Sequence, residues 1–454
     1  MTSNTSQQQT VAATPAEAFW TLEPFELVKP GDPWHVDLDH YLPKEHYAVV
    51  SQLKRRLRPI GTAPQFVQVG VVGHKGTGKT TQVRQAVSQL ASEGVHGVYV
   101  DALTSLDQAE FSFSDLLLVI ARAVVKDLAE EQIELSKVHF DLLLLWFAEE
   151  LLTEQHSKEI VGSIETTAKA RGGIPYLAEL AAKVTGVLKS NNVYRQEIRK
   201  RAERDPADLI RRLNLLLDAA NEALSKRDEL RTRVAVVVDN LEKIGKRERV
   251  DAAVLRRAEE LRQLRCHLVL FFDPAEQYAP LTVQASQAFD VVTVPMLPIR
   301  DKHETVTVVH QAALSAIREV LRRRVDIERV FIPTEECITA LARLSGGRLR
   351  DVLHIARIAC ELSDPDSVSI DHIERAARKI AGERLTLVRP DDWPRLAAIH
   401  RAKQVANDPT DGHLLLHLIV LNYDGEPWWD VHPFALGDER FAAAWKAQAA
   451  IPTR

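Results

Sequence analysis

The chain has 454 residues, enough for about three domains of the usual size. It carries 58 lysines and arginines against 63 aspartates and glutamates, and the net charge of −5 excludes a uniformly basic nucleic-acid coat. Hydrophobic residues make up 45 % of the sequence, and 19 glycines and 21 prolines are too few for a fibre or a disordered chain. We therefore expect a helix-rich globular protein with a large core.

The N-terminal region has little regular patterning. Residues 1–15 are polar and are expected to form a flexible tail, and residues 16–60 combine proline-rich loops with one amphipathic helical stretch. The tail lacks the basic and apolar regions of a signal peptide. No apolar run is long enough to cross a bilayer. We expect a cytoplasmic protein that does not contact a membrane.

Five short apolar segments predict the strands of one sheet. They cover residues 66–72, 97–101, 233–239, 267–273 and 291–295. Continuous apolar runs are typical of strands that helices cover on both faces. The segments between them have helical periodicity, so the pattern predicts an α/β fold with a five-stranded, mainly parallel sheet within residues 61–300.

Long helical regions interrupt and follow this sheet. Residues from about 112 to 230 show only helical periodicity and predict a large helical insertion between the second and third strands. This insertion is longer than a plain crossover, which fits either a partner-binding surface or an extra structural subdomain. Residues 301–385 are again helical, and residues 386–454 are expected to form a small C-terminal α/β module.

The C-terminal module contains the pattern of a β-hairpin. The apolar segment 414–421 precedes an Asp-Gly turn and a second strand that begins near Trp428. With the helical stretch before it, the hairpin is compatible with a winged helix. We expect Trp428, Trp429 and Asp430 to be exposed there, and aromatic and acidic groups favour a protein contact over DNA binding.

One motif indicates a specific chemistry. The segment between the first strand and the following helix matches G-x-x-x-x-G-K-[ST] at every fixed position. With the next residue, it consists of Gly73, His74, Lys75, Gly76, Thr77, Gly78, Lys79, Thr80 and Thr81. Glycines let backbone N–H groups surround a phosphate. Lys79 is predicted to contact the β- and γ-phosphates and Thr80 to bind Mg²⁺, so we expect ATP and Mg²⁺ as cofactors.

A carboxylate at the end of the third strand supports this assignment. Asp239 follows an apolar run and is predicted to hold the magnesium ion together with Thr80. Asn240 comes next, where many hydrolytic ATPases carry a glutamate, and an amide cannot accept a proton from water. Glu242 is the nearest acid that could replace it. Either Glu242 is the catalytic base or hydrolysis is slow.

Together with the segment Leu344–Leu353, these strands resemble an AAA+ ATPase over residues 60–360. The resemblance is to the branch of origin-recognition-type initiators, transposition regulators and the STAND and KAP signalling NTPases. It implies a helical lid after the sheet, with a sensor-2 arginine over the γ-phosphate. Arg350 matches that position and Arg348 is the alternative. On one helix the two side chains would point about 200° apart, so only one is expected to face the loop.

The sequence also departs from this family. Asp273 occupies the sensor-1 position, where Asn, Ser or Thr is usual, and an ionised carboxylate there would repel phosphate. No arginine occurs from Asp273 to Pro298, where ring-forming members carry an arginine finger that acts on a neighbouring subunit. These departures favour a molecular switch over a processive ring motor.

Three functions remain open from the sequence. The first is a slowly hydrolysing ATP-dependent switch that controls a protein partner or effector through the insertion or the C-terminal module, with a role in anti-phage defence implied by the family resemblance. The second is a DNA-associated loader or regulator, based on the basic runs at 243–265 and 318–324; such binding should be weak and salt-sensitive. The third is a scaffold that nucleotide stabilises. Each is compatible with a homo-oligomer.

Overall fold

The computed structural model describes residues 11–45, 47–58, 65–108, 111–133, 135, 196, 200, 204–227, 232–244, 247–277, 288–302, 309–363, 365–423 and 428–449. The first ten residues, most of the predicted insertion and the predicted Asp-Gly turn at Asp424 and Gly425 lie outside them. So does the middle of the stretch in which no arginine was found.

The central sheet has five strands, which are β1 (Gln68–Val72), β2 (Val95–Asp101), β3 (Arg233–Asp239), β4 (His267–Phe272) and β5 (Asp290–Thr293). All five are parallel, and their order across the sheet is β2-β3-β4-β1-β5. All five predicted strands are confirmed, with ends that move by one or two residues. The sheet confirms the predicted α/β class, and every pairing in it is parallel.

Helices surround this sheet on both sides. In the N-terminal region and the core they are α1 (Pro15–Thr21), α2 (Leu38–Tyr41), α3 (Val49–Leu57), α4 (Lys79–Leu90), α5 (Ala102–Ser105), α6 (Phe113–Glu130), α7 (Pro206–Arg227), α8 (Arg247–Ala253), α9 (Ala258–Leu261) and α10 (Pro274–Gln277). The lid contains α11 (Gln311–Arg322), α12 (Ile327–Val330), α13 (Thr334–Ser345), α14 (Leu349–Ser363) and α15 (Ile370–Leu385). The C-terminal module contains α16 (Asp392–Ala402), α17 (Pro409–Leu416), β6 (Val420–Tyr423), β7 (Trp428–Val431), α18 (Pro433–Leu436) and α19 (Glu439–Ala449).

Alternate side chains of each strand enter two different hydrophobic cores. In β3, Val237 packs with α3, α4 and the lid, whereas its neighbours Val236 and Val238 pack with α6 and α7. The same alternation places Val71 in the first core and Val72 in the second. Because both faces are covered, apolar residues run continuously through the middle of β1, β3 and β4.

The two described helices at the borders of the predicted insertion have a structural role. Leu116 and Ile120 of α6 and Leu213 and Leu217 of α7 are fully or almost fully buried in the second core. These helices cover one face of the sheet, so the beginning and end of the predicted insertion belong to the core of the domain.

The C-terminal hairpin is shorter than predicted. Leu414 and Leu415 were assigned to a strand, but they lie in α17, and β6 begins only at Val420. The helix forms because the Asp408 carboxylate accepts a hydrogen bond from the backbone N–H of Asp411 at 2.9 Å, and proline follows at the first helical position. A cap and a proline therefore outweigh a continuous apolar run.

The N-terminal segment is ordered from residue 11 onward. Ala12 is buried and pairs with Val325 of the lid, with a hydrogen bond from its N–H to the Arg324 carbonyl of 3.1 Å. Thr14 and Glu17 form a capping box that starts α1. The expectation of a flexible tail therefore does not hold for residues 11–15. Among the described residues, no helix combines the length and apolar character needed to cross a membrane.

Candidate nucleotide-binding site

Residues of the predicted site lie at the carboxyl ends of four neighbouring strands of the sheet. Gly73 follows β1, Asp273 follows β4, and Asp101 and Asp239 end β2 and β3. The P-loop strand β1 lies between β4 and β5. Ligands of open parallel sheets bind at this edge, and the strand order therefore brings the predicted site residues together.

The loop between β1 and α4 can be built only with glycine at two of its positions. A Cβ on Gly73 would lie 2.5 Å from the Val294 carbonyl oxygen. Gly76 has φ +87°, and a Cβ there would lie 2.7 Å from the Cβ of Arg350. The loop therefore has the tight backbone path of a phosphate cradle.

The remaining loop residues support this path through their side chains. The Thr77 hydroxyl donates to the His74 carbonyl at 3.0 Å and closes the turn. The Thr81 hydroxyl donates to the Val28 carbonyl at 3.4 Å, which ties α4 to the N-terminal segment. Gly78 has φ +94° and precedes the first residue of α4.

Lys79 is buried at the start of α4. Its ammonium group contacts the carbonyl oxygens of Gly73 and His74, the second at 3.3 Å, and lies 3.5 Å from Oε1 of Glu242. These acceptors keep the charge at the loop, where a phosphate group would be a stronger, charged acceptor.

The predicted magnesium ligands are in contact. The Thr80 hydroxyl donates to Oδ1 of Asp239 at 3.0 Å. Burial raises the pKa of Asp239, the nearby Glu242 charge raises it further, and the bonds from Thr80 and the Asn240 N–H oppose the shift. A bound cation would favour the ionised carboxylate. A hydroxyl and a carboxylate are the oxygen ligands that Mg²⁺ prefers, so the residues present fit this ion.

The two candidates for a catalytic role after β3 differ in where they lie. Asn240 has φ +62°, and its side-chain amide donates to Oδ1 of Asp101 at 2.8 Å, so it ties β3 to β2. The Glu242 side chain is 4 % exposed and lies against Lys79. Its second oxygen, Oε2, is buried and has no hydrogen-bond partner in the part of the chain that the structure describes. Of the two, Glu242 has the free acceptor.

Asp273 lies at the predicted sensor-1 position and is 2 % exposed. Burial raises the pKa of its carboxyl, while the Lys79 charge and a 3.0 Å hydrogen bond from the Ala275 N–H act in the opposite direction. A raised pKa favours the neutral acid, which reduces the repulsion of phosphate expected from an ionised group at this place.

Arg350 reaches the site from the start of the lid helix α14. Its backbone N–H donates to the Gly76 carbonyl at 3.2 Å, so the lid is bonded directly to the loop. The guanidinium group donates to the Pro24 carbonyl at 3.2 Å and lies 5.0 Å from the centre of the Phe25 ring. Arg350 therefore forms part of the wall of the site.

The expectation that only one of the two arginines faces the loop is wrong. Nε of Arg348 donates to the Lys75 carbonyl at 2.7 Å, and this guanidinium group is buried against Asp351 at 2.5 Å. Helical spacing does not apply, because α14 begins at Leu349, after Arg348. Both arginines contact the loop, Arg348 through the backbone and Arg350 beside the cleft.

A cleft of about 310 Å³ extends from Lys79 and Thr80 along the N-terminal segment. Its far wall includes Phe25, Val28 and Trp34. Sequence reasoning missed this wall, because a proline-rich loop has no periodicity that indicates which of its side chains point inward. The aromatic residues between the prolines were the one available signal.

The two basic runs differ in how far their side chains are paired within the fold. Arg318 pairs with Glu335, Arg323 pairs with Glu319 at 2.8 Å, and Arg324 is buried. In the other run, ion pairs involve Arg257 and Arg265, whereas Lys243, Arg256 and Arg262 are exposed, and Lys246 lies outside the described residues. The surface is therefore less basic than the sequence runs predict.

Three features together define one architecture. They are the phosphate-binding loop after β1, the strand β3 that ends at Asp239 and is separated from β1 by β4, and a helical lid bonded to the loop. The chain has the AAA+ ATPase fold. The predicted α/β class, with a five-stranded parallel sheet followed by helices, is confirmed at the level of the fold.

Three solved structures are similar to this chain at low sequence identity. The Aeropyrum pernix ORC2 protein, in ADPNP–ADP complexes, is 12 % identical over 89 % of this chain and 92 % of its own, with a TM-score of 0.41. The Aeropyrum pernix ORC1 protein in complex with DNA is 15 % identical over 94 % of this chain and 97 % of its own, with a TM-score of 0.35. The Walker-type ATPase paby2304 of Pyrococcus abyssi is 12 % identical over 94 % of this chain and 99 % of its own, with a TM-score of 0.45.

No family model and no curated protein sequence matches the chain. At these identities and TM-scores, the AAA+ assignment depends on the sheet order, the loop and the lid of this chain itself.

Proposed function

We propose that the protein binds Mg²⁺-ATP and works as a slowly hydrolysing molecular switch. The observation that carries the proposal is the contact of Thr80 with Asp239 at 3.0 Å, beside Lys79 and a loop that accepts only glycine at Gly73 and Gly76. When bound, Mg²⁺ would neutralise charge on the β- and γ-phosphates. Thr80 and Asp239 would hold it, and Lys79 would contact the phosphates.

Slow hydrolysis is supported by the positions of the two residues after β3. Asn240 is engaged with Asp101 and cannot accept a proton. Glu242 could accept one through Oε2, but its other oxygen faces the Lys79 ammonium group at 3.5 Å. Only one oxygen of this carboxylate is therefore open to a water molecule. We therefore expect a partner to raise the rate.

Replacing Lys79 tests the proposal directly. We expect Lys79→Ala to lower ATP affinity by about a hundredfold or more, because charge-assisted contacts with the phosphates are lost. Titration calorimetry with Mg²⁺-ATP measures this. Lys226→Ala, at an exposed lysine of α7, is the control and should bind like the wild type. Equal affinity of Lys79→Ala and wild type would refute the site.

A DNA-associated ATPase is the second candidate. It is favoured by the exposed cations Lys243, Arg256 and Arg262, and the Aeropyrum pernix ORC1 structure is described as a complex with DNA. Against direct base reading, α17, the helix before the hairpin, contains no lysine or arginine. No observation on this chain supports a role in anti-phage defence, which stays a prediction from the resemblance.

Salt dependence separates the two candidates. Contacts through backbone phosphates alone should weaken steeply as salt rises, because bound cations are released from the DNA on complex formation. We expect micromolar or weaker binding of a random duplex at physiological salt in a fluorescence anisotropy titration. A sequence-selective nanomolar complex under the same conditions would make the DNA-associated function the better one.

A further inference from the structure

The C-terminal hairpin lies directly against the phosphate-binding loop. The backbone N–H of Asn422, in β6, donates to Nε2 of His74 at 3.2 Å. The other nitrogen of the ring, Nδ1, is buried and has no hydrogen-bond partner in the part of the chain that the structure describes. His74 is 1 % exposed, so this loop residue is enclosed by the C-terminal module.

A second connection reaches the next residue of the loop. The buried carboxylate of Asp351 accepts from His432 of the C-terminal module at 3.1 Å and from Arg384 of α15 at 2.8 Å. Asp351 also pairs with Arg348, whose Nε donates to the Lys75 carbonyl at 2.7 Å. Two consecutive loop residues are therefore joined to the C-terminal module, one directly and one through Arg348 and Asp351.

The hairpin fits closely between the core and the lid. The Tyr423 hydroxyl donates to the Gly346 carbonyl at 2.8 Å, and the Asn422 carbonyl accepts from the Met296 N–H at 3.0 Å. A Cβ on Gly346 would lie 2.6 Å from Leu421. The hairpin therefore contacts both the core and the lid beside the loop.

The contact with His74 requires a neutral imidazole, since Nε2 accepts a hydrogen bond. Burial lowers the pKa of His74 to about 3, and the nearby Lys79 charge acts in the same direction. The ring therefore stays an acceptor at neutral pH. Its own backbone carbonyl lies 3.3 Å from the Lys79 ammonium group, so one residue connects the hairpin to the phosphate-binding lysine.

We propose that His74 is a positioning residue, which holds the phosphate-binding loop in its ATP-binding conformation by bonding to the docked C-terminal hairpin. The inference rests on the proposed function. If the docked hairpin strengthens ATP binding, then ATP must stabilise the docked hairpin by the same factor. The C-terminal module thereby senses whether nucleotide is bound, and a partner that removes the hairpin from the loop lowers ATP affinity.

Hydrogen–deuterium exchange on the full chain tests this coupling. We expect Mg²⁺-ATP to slow exchange of the backbone amides of β6 and β7 in the wild type. His74→Ala should lower ATP affinity by about fivefold or more and abolish the slowing in the hairpin. His74→Gln, whose side-chain oxygen can accept from the Asn422 N–H, should restore both. His413→Ala, within α17 and away from the loop, is the control and should behave like the wild type.

The possible failures are distinguishable. A wild type that binds no ATP refutes the proposed function and the inference with it. A wild type that binds ATP while the hairpin amides exchange at an unchanged or faster rate overturns the inference alone. The same holds if His74→Ala binds ATP as tightly as the wild type. The wild-type exchange comparison stands even where a variant does not fold.

Discussion

Two sets of buried charges lie close to each other in this molecule and differ in how completely they are paired. In the C-terminal module, the Asp430 carboxylate accepts from Lys403 and His400, each at 2.6 Å, from the Val431 N–H at 2.8 Å, and from Arg300. At the phosphate-binding loop, Oε1 of Glu242 lies 3.5 Å from the Lys79 ammonium group, and Oε2 has no hydrogen-bond partner among the described residues. The carboxylate of the first set is therefore saturated, whereas that of the second has an open acceptor.

The pKa values of two aspartates reflect the same difference. Burial would raise the pKa of Asp430, but the hydrogen bond from His400 and the charges of Lys403 and Arg300 hold it at about 2. Burial raises the pKa of Asp239, where the neighbouring charge is the like charge of Glu242. Cations thus keep the Asp430 carboxylate ionised, whereas burial and a like charge oppose ionisation of Asp239, which a bound cation would favour.

Removing the Asp430 charge should have the largest effect. Asp430→Asn keeps the shape but leaves Arg300 and Lys403 as uncompensated buried cations, so we expect a loss of about 3–5 kcal/mol in the free energy of unfolding. Denaturant titration followed by circular dichroism measures it.

Asp438→Asn is the matched control, because Asp438 pairs with the exposed Arg440 at 2.9 Å. It should cost less than about 1 kcal/mol. Equal effects of the two substitutions would show that the buried cluster is not what stabilises the C-terminal module.

Neutralising the unsaturated cluster should change chemistry more than stability. We expect Glu242→Gln to lower the rate of ATP turnover by about a hundredfold, because the amide cannot accept a proton. Phosphate release under saturating Mg²⁺-ATP measures the rate, and calorimetry should show that ATP still binds. A rate that survives the substitution would exclude Glu242 as the base.

The smallest expected effect is at the lid. Arg350→Ala should weaken ATP binding by about tenfold and leave ADP affinity unchanged, since only the triphosphate places charge near the start of α14. Parallel titrations with both nucleotides test it. Arg343→Ala removes an exposed lid arginine that pairs with Glu374 at 3.8 Å, and it should change neither affinity. Arg348 is unsuitable as a control because it contacts the loop.

Local patterns predicted the sheet correctly and located the glycine-rich loop between β1 and α4. Apolar runs occur in the middle of β1, β3 and β4 because helices cover both faces, and the loop needs glycine at Gly73 and Gly76 because a Cβ there would meet Val294 or Arg350. Those two residues are distant along the chain, but the apolar runs and the glycines form short motifs that are visible in the sequence itself. The contact of Thr80 with Asp239 follows from them, because the strand order brings both residues to one edge of the sheet.

The C-terminal module shows what local patterns do not determine. Trp428 and Asp430 were expected to be exposed, but both are buried, and Asp430 is fully paired. Its partner Arg300 comes from the connection after β5, which no periodicity links to the hairpin. The contact of His74 with Asn422 joins residues that are even farther apart in the sequence. Polar residues that pair across modules look like surface residues until the fold brings their partners together.

The N-terminal segment forms one wall of the cleft beside the loop. It is synthesised first, but it gains its contacts with the lid only after the lid has been made. Pro24 bonds to Arg350, 326 positions later, and Glu23 pairs with Arg357, 334 positions later. Synthesis proceeds from the N-terminus, so these residues leave the ribosome long before their partners in the lid exist. Contacts of such high sequence separation form slowly, because a long loop must close before they are gained. A chain whose synthesis stopped before the lid would therefore carry the phosphate-binding loop without the enclosed cleft beside it.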